Sequence, residues 1–290
     1  MGVWGYGRMG DFSHTPIPPY PHTRFTMPPI DLTRLRARTA ALAERFADPA
    51  AAATAVRQLL DDYADRSHRA SPRVASRSLG YSFKVSPPIL RAIVMALRGP
   101  AQANPPAALD LADRLWKYGS REERRIAAEL LGQVAVQQAA AAEALIEAWA
   151  PHIESGETAD SLAEFGLGPL MLADPVRYLA EARRWVTFPH KWVRRFGLSA
   201  LLPLVRDREW DNVPGALTVV RLSMADADAD VRRAAVAVLE GLTAKSPAEI
   251  GLFLREQAAR TNTNTGAIVR AAMAALDPEE QTAIYKVLHA

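Results

Sequence analysis

Residues 191–202, KWVRRFGLSALL, carry the pattern that decides the fold, because the chain repeats it. Two adjacent basic residues are followed by apolar side chains at the i, i+3 and i+4 spacing of one helix face. The pattern recurs as IAAELL after Arg124–Arg125 and as AAVAVL after Arg232–Arg233, with a weaker copy after Val269–Arg270. The last basic residue of each copy stands at position 125, 195, 233 or 270. These positions recur every 35 to 38 residues if the first interval, of 70 residues, is counted as two periods.

This period predicts a helical repeat protein. Units of 35–38 residues with two helices each are typical of α-solenoids of the HEAT or armadillo kind. Ala, Leu, Arg and Glu dominate after residue 30, while alternating runs of β-branched and aromatic residues are missing. We therefore predict an all-α solenoid of roughly 12–14 helices, in which residues 31–290 form a single HEAT-like repeat domain. Residues 1–30 hold six prolines and four glycines, which predicts a disordered tail.

The basic residues of the repeats form a predicted ladder on one surface. Each repeat places one near the start of its second helix, and second helices line one surface of a solenoid, usually the concave one. A step of 35 residues back from Arg125 ends beside Arg91, which extends the ladder toward the N-terminus. Within a net charge of +3, residues 66–98 hold seven basic residues and no acid, and residues 181–210 hold seven against three acids. Such blocks are typical of solvated faces and also of surfaces that bind a polyanion.

One position of the ladder is acidic. Midway between Arg125 and Arg195 the register reaches Asp160, in the segment TADSLA. Asp160 could be an ordinary surface or capping aspartate. It could also be a single carboxylate displayed in a basic groove, a placement that opposes phosphate binding and therefore needs a functional reason.

Several chemistries are excluded or disfavoured. Cysteine is absent, so disulfides, thiolate catalysis, iron–sulfur clusters and cysteine-ligated zinc are excluded. The six histidines show no HxxxH or HExxH spacing, and we expect neither a metal nor a cofactor. GYGRMG at residues 5–10 matches GxGxxG in spelling, but the sequence predicts neither a strand before it nor a helix after it. The segment that begins with Asp226, Asp228 and Asp230 resembles a calcium loop but lacks the Gly and the Glu that such a loop needs. We expect these aspartates to cap the helix near Val231 instead.

The sequence also bears on location. No apolar run approaches the roughly 18 residues that span a bilayer, and the N-terminus lacks a charged-then-apolar leader. We expect a cytoplasmic protein associated with the nucleoid.

A succession of segments resembles the AlkD-like DNA alkylation repair family, whose members are built of HEAT-like repeats. The segments are LGYSFKVSPPILR (79–91), LWKYGSREERRIAAELL (115–131), TADSLA (158–163), KWVRRFGLSAL (191–201), DVRRAA (230–235) and SPAEIGLFL (246–254). The resemblance implies a DNA glycosylase that excises cationic N3- or N7-alkylated purines from duplex DNA without flipping the base. It implies a concave basic cleft, two tryptophans against the deoxyribose, and an aspartate that stabilises the oxocarbenium ion and positions water.

Carried over residue by residue, the resemblance makes Asp160 the catalytic carboxylate and Arg195 a phosphate contact. The two lesion-facing tryptophans of the family are replaced by Gly156 and Ala237. Tryptophans that match structural ones of the family are retained at positions 116, 185 and 192. With the basic surface, the predicted DNA-binding residues are Arg195, Arg194, Lys191, Arg125, Arg232, Arg233, Arg270, Arg91 and Lys84.

The predicted partner is double-stranded DNA, alkylated if the protein is an enzyme, bound by a monomer. Two alternatives stay open at this point. One is a HEAT-repeat protein that binds damaged or branched DNA without chemistry, and the other is a protein–protein scaffold whose arginines meet acidic partners.

Overall fold

The computed structural model describes residues 31–65 and 82–289, and within these ranges every regular element is helical. The predicted disordered tail, residues 1–30, lies outside the described residues, as do the four arginines of the first basic block between positions 66 and 81. Sixteen α-helices occur in the described ranges, thirteen of them nine residues or longer. The all-α prediction and the approximate number of full-length helices are therefore confirmed.

Proline and capping residues set the helix starts. A proline has no amide hydrogen to lose in the first turn, where helix N–H groups are unpaired in any case. Prolines occupy this position at Pro49, Pro87, Pro105, Pro175, Pro247 and Pro278. Side-chain acceptors precede several of these helices, as where Asp48 accepts from the amides of Ala50 and Ala51. The helix that begins at residue 121 has a full capping box, in which Ser120 and Glu123 each bond the backbone of the other.

The helices form two layers, each built by contacts between successive repeats. The first, here called the ladder layer, consists of α1 (Leu32–Glu44), α3 (Pro87–Ala103), α5 (Arg121–Val134), α7 (Gly156–Ser161), α10 (Lys191–Ser199), α13 (Ala229–Thr243) and α15 (Thr263–Ala272). The second, the opposite layer, consists of α2 (Pro49–Asp62), α4 (Pro105–Tyr118), α6 (Ala139–Trp149), α9 (Pro175–Trp185), α12 (Val213–Arg221), α14 (Pro247–Ala258) and α16 (Pro278–Leu288). The short helices α8 (Gly168–Ala173) and α11 (Leu202–Arg206) complete the set.

Polar contacts between repeats reproduce the sequence period in space. Arg195 pairs with Asp160 and Arg221 with Glu256, each across 35 residues. Trp149 Nε1 donates to Asp113 across 36 residues. Each repeat therefore contacts the next at equivalent positions, as a solenoid requires.

The core between the layers is apolar and continuous. Trp116 and Trp149 are buried there with their rings stacked 4.6 Å apart, and Trp185 packs on Phe196. All three tryptophans therefore pack in the core. In the described part of the chain, no helix has both the length and the apolar character needed to cross a membrane.

The helix after α7 departs from α geometry. A π-helical segment, Leu162–Leu167, joins α7 directly to α8, so that Gly156–Ala173 forms one helix with a widened centre. It packs closely on α5, because a Cβ at Gly132 would stand 2.0 Å from the Phe165 carbonyl oxygen. Only glycine permits this approach. The π-helical segment begins two residues after Asp160.

Candidate functional site

The predicted ladder lies on adjacent helices of one layer. Arg91 is on α3, Arg125 on α5, Asp160 on α7, Arg195 on α10, Arg233 on α13 and Arg270 on α15. Successive helices of this series contact one another. The repeat spacing therefore brings these residues together as a row, here called the ladder row, with the carboxylate of Asp160 near its middle.

Asp160 is held by two side chains of α10. Arg195 forms a two-point pair with it, from Nε to Oδ1 at 2.9 Å and from Nη2 to Oδ2 at 2.6 Å. Ser199 Oγ also donates to Oδ1, at 2.7 Å. The Asp160 side chain remains 39% exposed. The arrangement therefore presents a carboxylate of fixed orientation to the space outside the ladder layer.

Arg195 joins three helices. Besides its pair with Asp160 on α7, its Nη1 donates to the backbone carbonyl of Asp230 on α13 at 2.9 Å. Its side chain is only 18% exposed. A guanidinium has five N–H groups, so these three bonds leave two for a further acceptor such as a phosphate oxygen.

The position beside Gly156 is filled by this arginine. A Cβ added at Gly156 would stand 3.0 Å from Arg195 Nε and 3.2 Å from its Cζ. A larger side chain at this position would have to displace the guanidinium. Even the Cβ of an alanine at position 156 would therefore require the Arg195 side chain to shift by a few tenths of an ångström.

The other replaced position, Ala237, borders open space. It is exposed on α13 and lines a shallow depression of about 410 Å³ between α13 and α15. The walls are mostly apolar, with Val236, Ile268 and Ala271 among the lining residues, and Arg232 and Arg233 also line it. The two positions thus differ, one filled by an arginine and the other open.

Most basic residues near Asp160 are already paired. Arg125 binds Glu129 at 2.9 Å, and Arg233 pairs with Asp230. Lys191 lies 3.2 Å from both Asp228 and Asp230. Arg194 binds Asp226 at 2.6 Å and also the carbonyls of Phe188 and Pro189, while Arg232 binds the carbonyls of Asp226 and Ala227. Ion pairs therefore neutralise most of the charge in the middle of the ladder row, while Arg232 binds neutral carbonyls and keeps its charge.

The ends of the row differ from its middle. Arg91 on α3 and Arg270 on α15 are exposed, and neither has an ion-pair partner in residues 31–65 and 82–289. Lys84, just before α3, is also exposed and without a carboxylate partner in those ranges. Free positive charge is thus concentrated at the two ends.

Lys84 lies in a constrained turn. Its φ of 55° makes it the one non-glycine residue with positive φ in the described ranges, a conformation that is costly for side chains with a Cβ. Glu122, only 6% exposed, fixes the turn by accepting from Ser82 Oγ at 2.7 Å and from the Phe83 amide at 3.1 Å. These two hydrogen bonds therefore hold the backbone of the turn that carries Lys84.

Of the three aspartates predicted to cap α13, only Asp228 is its N-cap in the described structure, because Asp230 lies inside the helix and Asp226 binds the amide of Asp228. Asp228 is the N-cap and accepts from the Asp230 amide at 2.8 Å, while Asp226 accepts from the Asp228 amide at 2.8 Å. Burial acts to raise the pKa of Asp228, but the Asp230 amide and the Lys191 ammonium outweigh it, and the pKa is lowered. Within the described part of the chain, no three His, Asp or Glu side chains cluster in a way that could hold a metal ion.

Sequence reasoning missed two contributors to the site. Ser199 stands one helical turn after Arg195, a spacing that could have suggested a shared partner. The Asp230 carbonyl carries no signal in the sequence, because every residue has a carbonyl.

Comparison with protein-family models gives one relevant match, the family described as "DNA alkylation repair enzyme", over residues 52–276. Comparison with curated proteins gave no match, and neither did comparison with solved structures. The matched region contains the whole series from Arg91 to Arg270, including Asp160 and Arg195. Because the match covers well over half of the chain, the protein belongs to the DNA alkylation repair enzyme family, and its role lies in DNA repair.

Proposed function

We propose that the protein is a DNA glycosylase that hydrolyses the N-glycosidic bond of cationic N3- or N7-alkylated purines in duplex DNA. In this proposal the DNA lies along the ladder row, and Asp160 faces the sugar of the damaged nucleotide. The protein acts as a monomer in the cytoplasm, where the nucleoid lies, and needs no metal or cofactor.

The chemistry suits a lone carboxylate. An alkylated purine already carries positive charge, so the C1′–N bond breaks as its electron pair leaves with the base, which departs neutral. The sugar becomes a cation, and water then bonds to C1′ and loses a proton. A carboxylate that meets the positive charge as it moves onto the sugar stabilises the transition state more than the ground state. No acid is required to protonate the leaving group.

The observation that carries the proposal is the setting of Asp160. It is partly exposed, oriented by Arg195 and Ser199, and located near the middle of a row whose end arginines have no ion-pair partner among the described residues. A carboxylate placed at random on a basic surface would need none of these supports. Membership of a DNA alkylation repair family supports DNA as the partner.

The test is release of free base. The protein is incubated in excess with a duplex containing N7-methylguanine, and free base is quantified over time. We expect release by the native protein and a loss of at least a hundredfold in Asp160→Asn, which removes the charge with little change in shape. Asp174→Asn, at a capping aspartate in the loop between α8 and α9, is the matched control and should release base normally.

A second function is favoured by one observation. The Arg195 guanidinium occupies the space beside Gly156 where a larger side chain would stand, so one wall of an aromatic site is absent. A protein that binds damaged or branched DNA without excision would tolerate this. No release from N7-methylguanine duplex at any protein excess, with salt-dependent DNA binding retained, would favour this alternative over hydrolysis.

A further inference from the structure

Ser199 is a buried hydroxyl directed at the Asp160 carboxylate. It is the last residue of α10 and is 3% exposed. A helical serine or threonine commonly bonds the carbonyl four residues earlier, as Thr243 does with Leu239. Ser199 instead donates to Asp160 Oδ1, across to α7.

The two carboxylate oxygens of Asp160 are unequally occupied. Oδ1 accepts from Arg195 Nε and from Ser199 Oγ, whereas Oδ2 accepts from Arg195 Nη2 alone in the described part of the chain. Each carboxylate oxygen offers about two acceptor sites. Oδ1 is therefore saturated, and Oδ2 keeps one open site on a side chain that is 39% exposed.

We infer that Ser199 is a positioning residue that occupies Oδ1 and leaves Oδ2 as the oxygen presented to the cationic sugar and to the incoming water. This inference rests on the proposed function. In the hydrolytic step, the C1′–N electron pair leaves with the purine, the water oxygen bonds to C1′, and the proton of that water passes to Oδ2 and then to solvent. Ser199 itself touches neither the sugar nor the water.

Arg195 alone cannot produce this asymmetry. Its two-point pair places one N–H group on each oxygen, which treats the two oxygens alike. The third bond, from Ser199, distinguishes them. Without it the carboxylate has an open acceptor site on both oxygens, and its orientation is less restricted.

Three variants test the inference. Ser199→Ala removes the hydroxyl and leaves Arg195 in place. Ser199→Thr keeps a hydroxyl at the same position. Ser161→Ala is the matched control, because Ser161 is 9% exposed, adjacent to Asp160 in the chain, and makes no hydrogen bond to the carboxylate in the described structure. Circular dichroism and thermal unfolding first establish that each variant is folded.

Two measurements are made on each variant. The first is single-turnover release of N7-methylguanine. The second is the ratio of affinities for two duplexes in which the sugar of the lesion is replaced, once by a cationic pyrrolidine and once by a neutral tetrahydrofuran. The ratio reports how well the carboxylate meets a positive sugar, and it needs no catalysis.

For Ser199→Ala we expect release to slow about tenfold, the effect of one charge-assisted hydrogen bond. The preference for the cationic duplex should fall by a similar factor, with affinity for the neutral duplex unchanged. Ser199→Thr should restore both quantities at least in part, and Ser161→Ala should match the native protein.

The outcomes separate the inference from the proposed function. If the native protein releases no base but prefers the cationic duplex, and Ser199→Ala loses that preference, hydrolysis is wrong and the positioning role stands. If Ser199→Ala keeps both native release and native preference, the positioning role is wrong and hydrolysis stands. If the native protein shows no preference for the cationic duplex, the inference is overturned regardless of release.

Discussion

Arg195 is the residue on which most of the site geometry depends. It binds both oxygens of Asp160 and a backbone carbonyl of α13 while only 18% of its side chain is exposed. Removing one partner of a poorly solvated ion pair leaves the other uncompensated, and this usually costs more than the pair contributes. A lysine at this position would keep the charge but could not make the planar two-point contact.

We therefore expect Arg195→Lys to lower the free energy of unfolding by about 2 kcal/mol. The measurement is urea unfolding followed by circular dichroism. Arg91→Lys is the matched control, because Arg91 is exposed and unpaired in the described structure, and it should change stability by less than about 0.5 kcal/mol. Equal unfolding midpoints for the two variants would show that the Arg195 contacts add little to stability.

At Lys84 we expect a substitution to raise the stability of the protein rather than lower it. Its positive φ of 55° suits glycine, so Lys84→Gly should stabilise the protein by about 1 kcal/mol. Lys84→Ala removes the same charge but keeps a Cβ, and it should bring no such gain. Thermal unfolding of the pair separates backbone strain from charge, and a gain shared by both variants would argue against strain.

At the scale of elements, the π-helical segment Leu162–Leu167 and helix α5 are fitted to each other through Gly132. The 2.0 Å that would separate a Cβ at this position from the Phe165 carbonyl oxygen is an approach to backbone, which cannot rotate away as a side chain can. The π-helical segment is continuous with α7, the helix that carries Asp160.

Gly132→Ala should accordingly lower the free energy of unfolding by about 3 kcal/mol or more, in spite of the higher helix propensity of alanine. Gly99→Ala is the control, since a Cβ there meets nothing within 4 Å. Its helical gain is partly cancelled because position 99 precedes Pro100, and we expect a change within about 1 kcal/mol. A similar loss in both variants would mean that the close approach is not the cause.

These elements also show what the sequence could and could not predict. The helix starts, the cap at Asp228 and the placement of the ladder row on one layer follow from proline, aspartate and arginine positions, which are local or periodic signals. The pairing of Arg195 with Asp160 could not be predicted in this way. The repeat period predicts the helix on which a residue lies but not the partner that its side chain binds. The π-helical segment was equally invisible, since LAEFGL has the composition of an ordinary helix.

At the scale of the whole molecule, the distribution of free charge matters more than the net charge of +3. Pairing neutralises the middle of the ladder row, whereas Arg91 and Arg270 have no ion-pair partner in the part of the chain that the structure describes. Five helix-to-helix steps separate α3 from α15. At 8–10 Å per step this is roughly 45 Å, or about 13 base pairs of DNA.

We expect the two ends of the ladder row to bind the phosphates of a DNA duplex. Arg91→Ala and Arg270→Ala should each reduce the slope of log affinity against log salt concentration by about 0.9, as expected for one phosphate contact. Leu252→Ala, at an exposed position on α14 in the opposite layer, should leave the slope unchanged. Fluorescence anisotropy over a salt series measures the slopes, and slopes that do not respond to either arginine would place the DNA elsewhere.

The contact between Gly156 and Arg195 also limits how the protein can change by descent. A bulky residue can arise at position 156 only if the guanidinium above it moves away, and the guanidinium is at the same time a partner of Asp160 and of α13. A lineage that acquired such a residue would therefore pass through an intermediate with a weakened carboxylate pair, unless position 195 changed first. Acceptance of a larger residue at position 156 is thus expected to depend on where the Arg195 side chain lies.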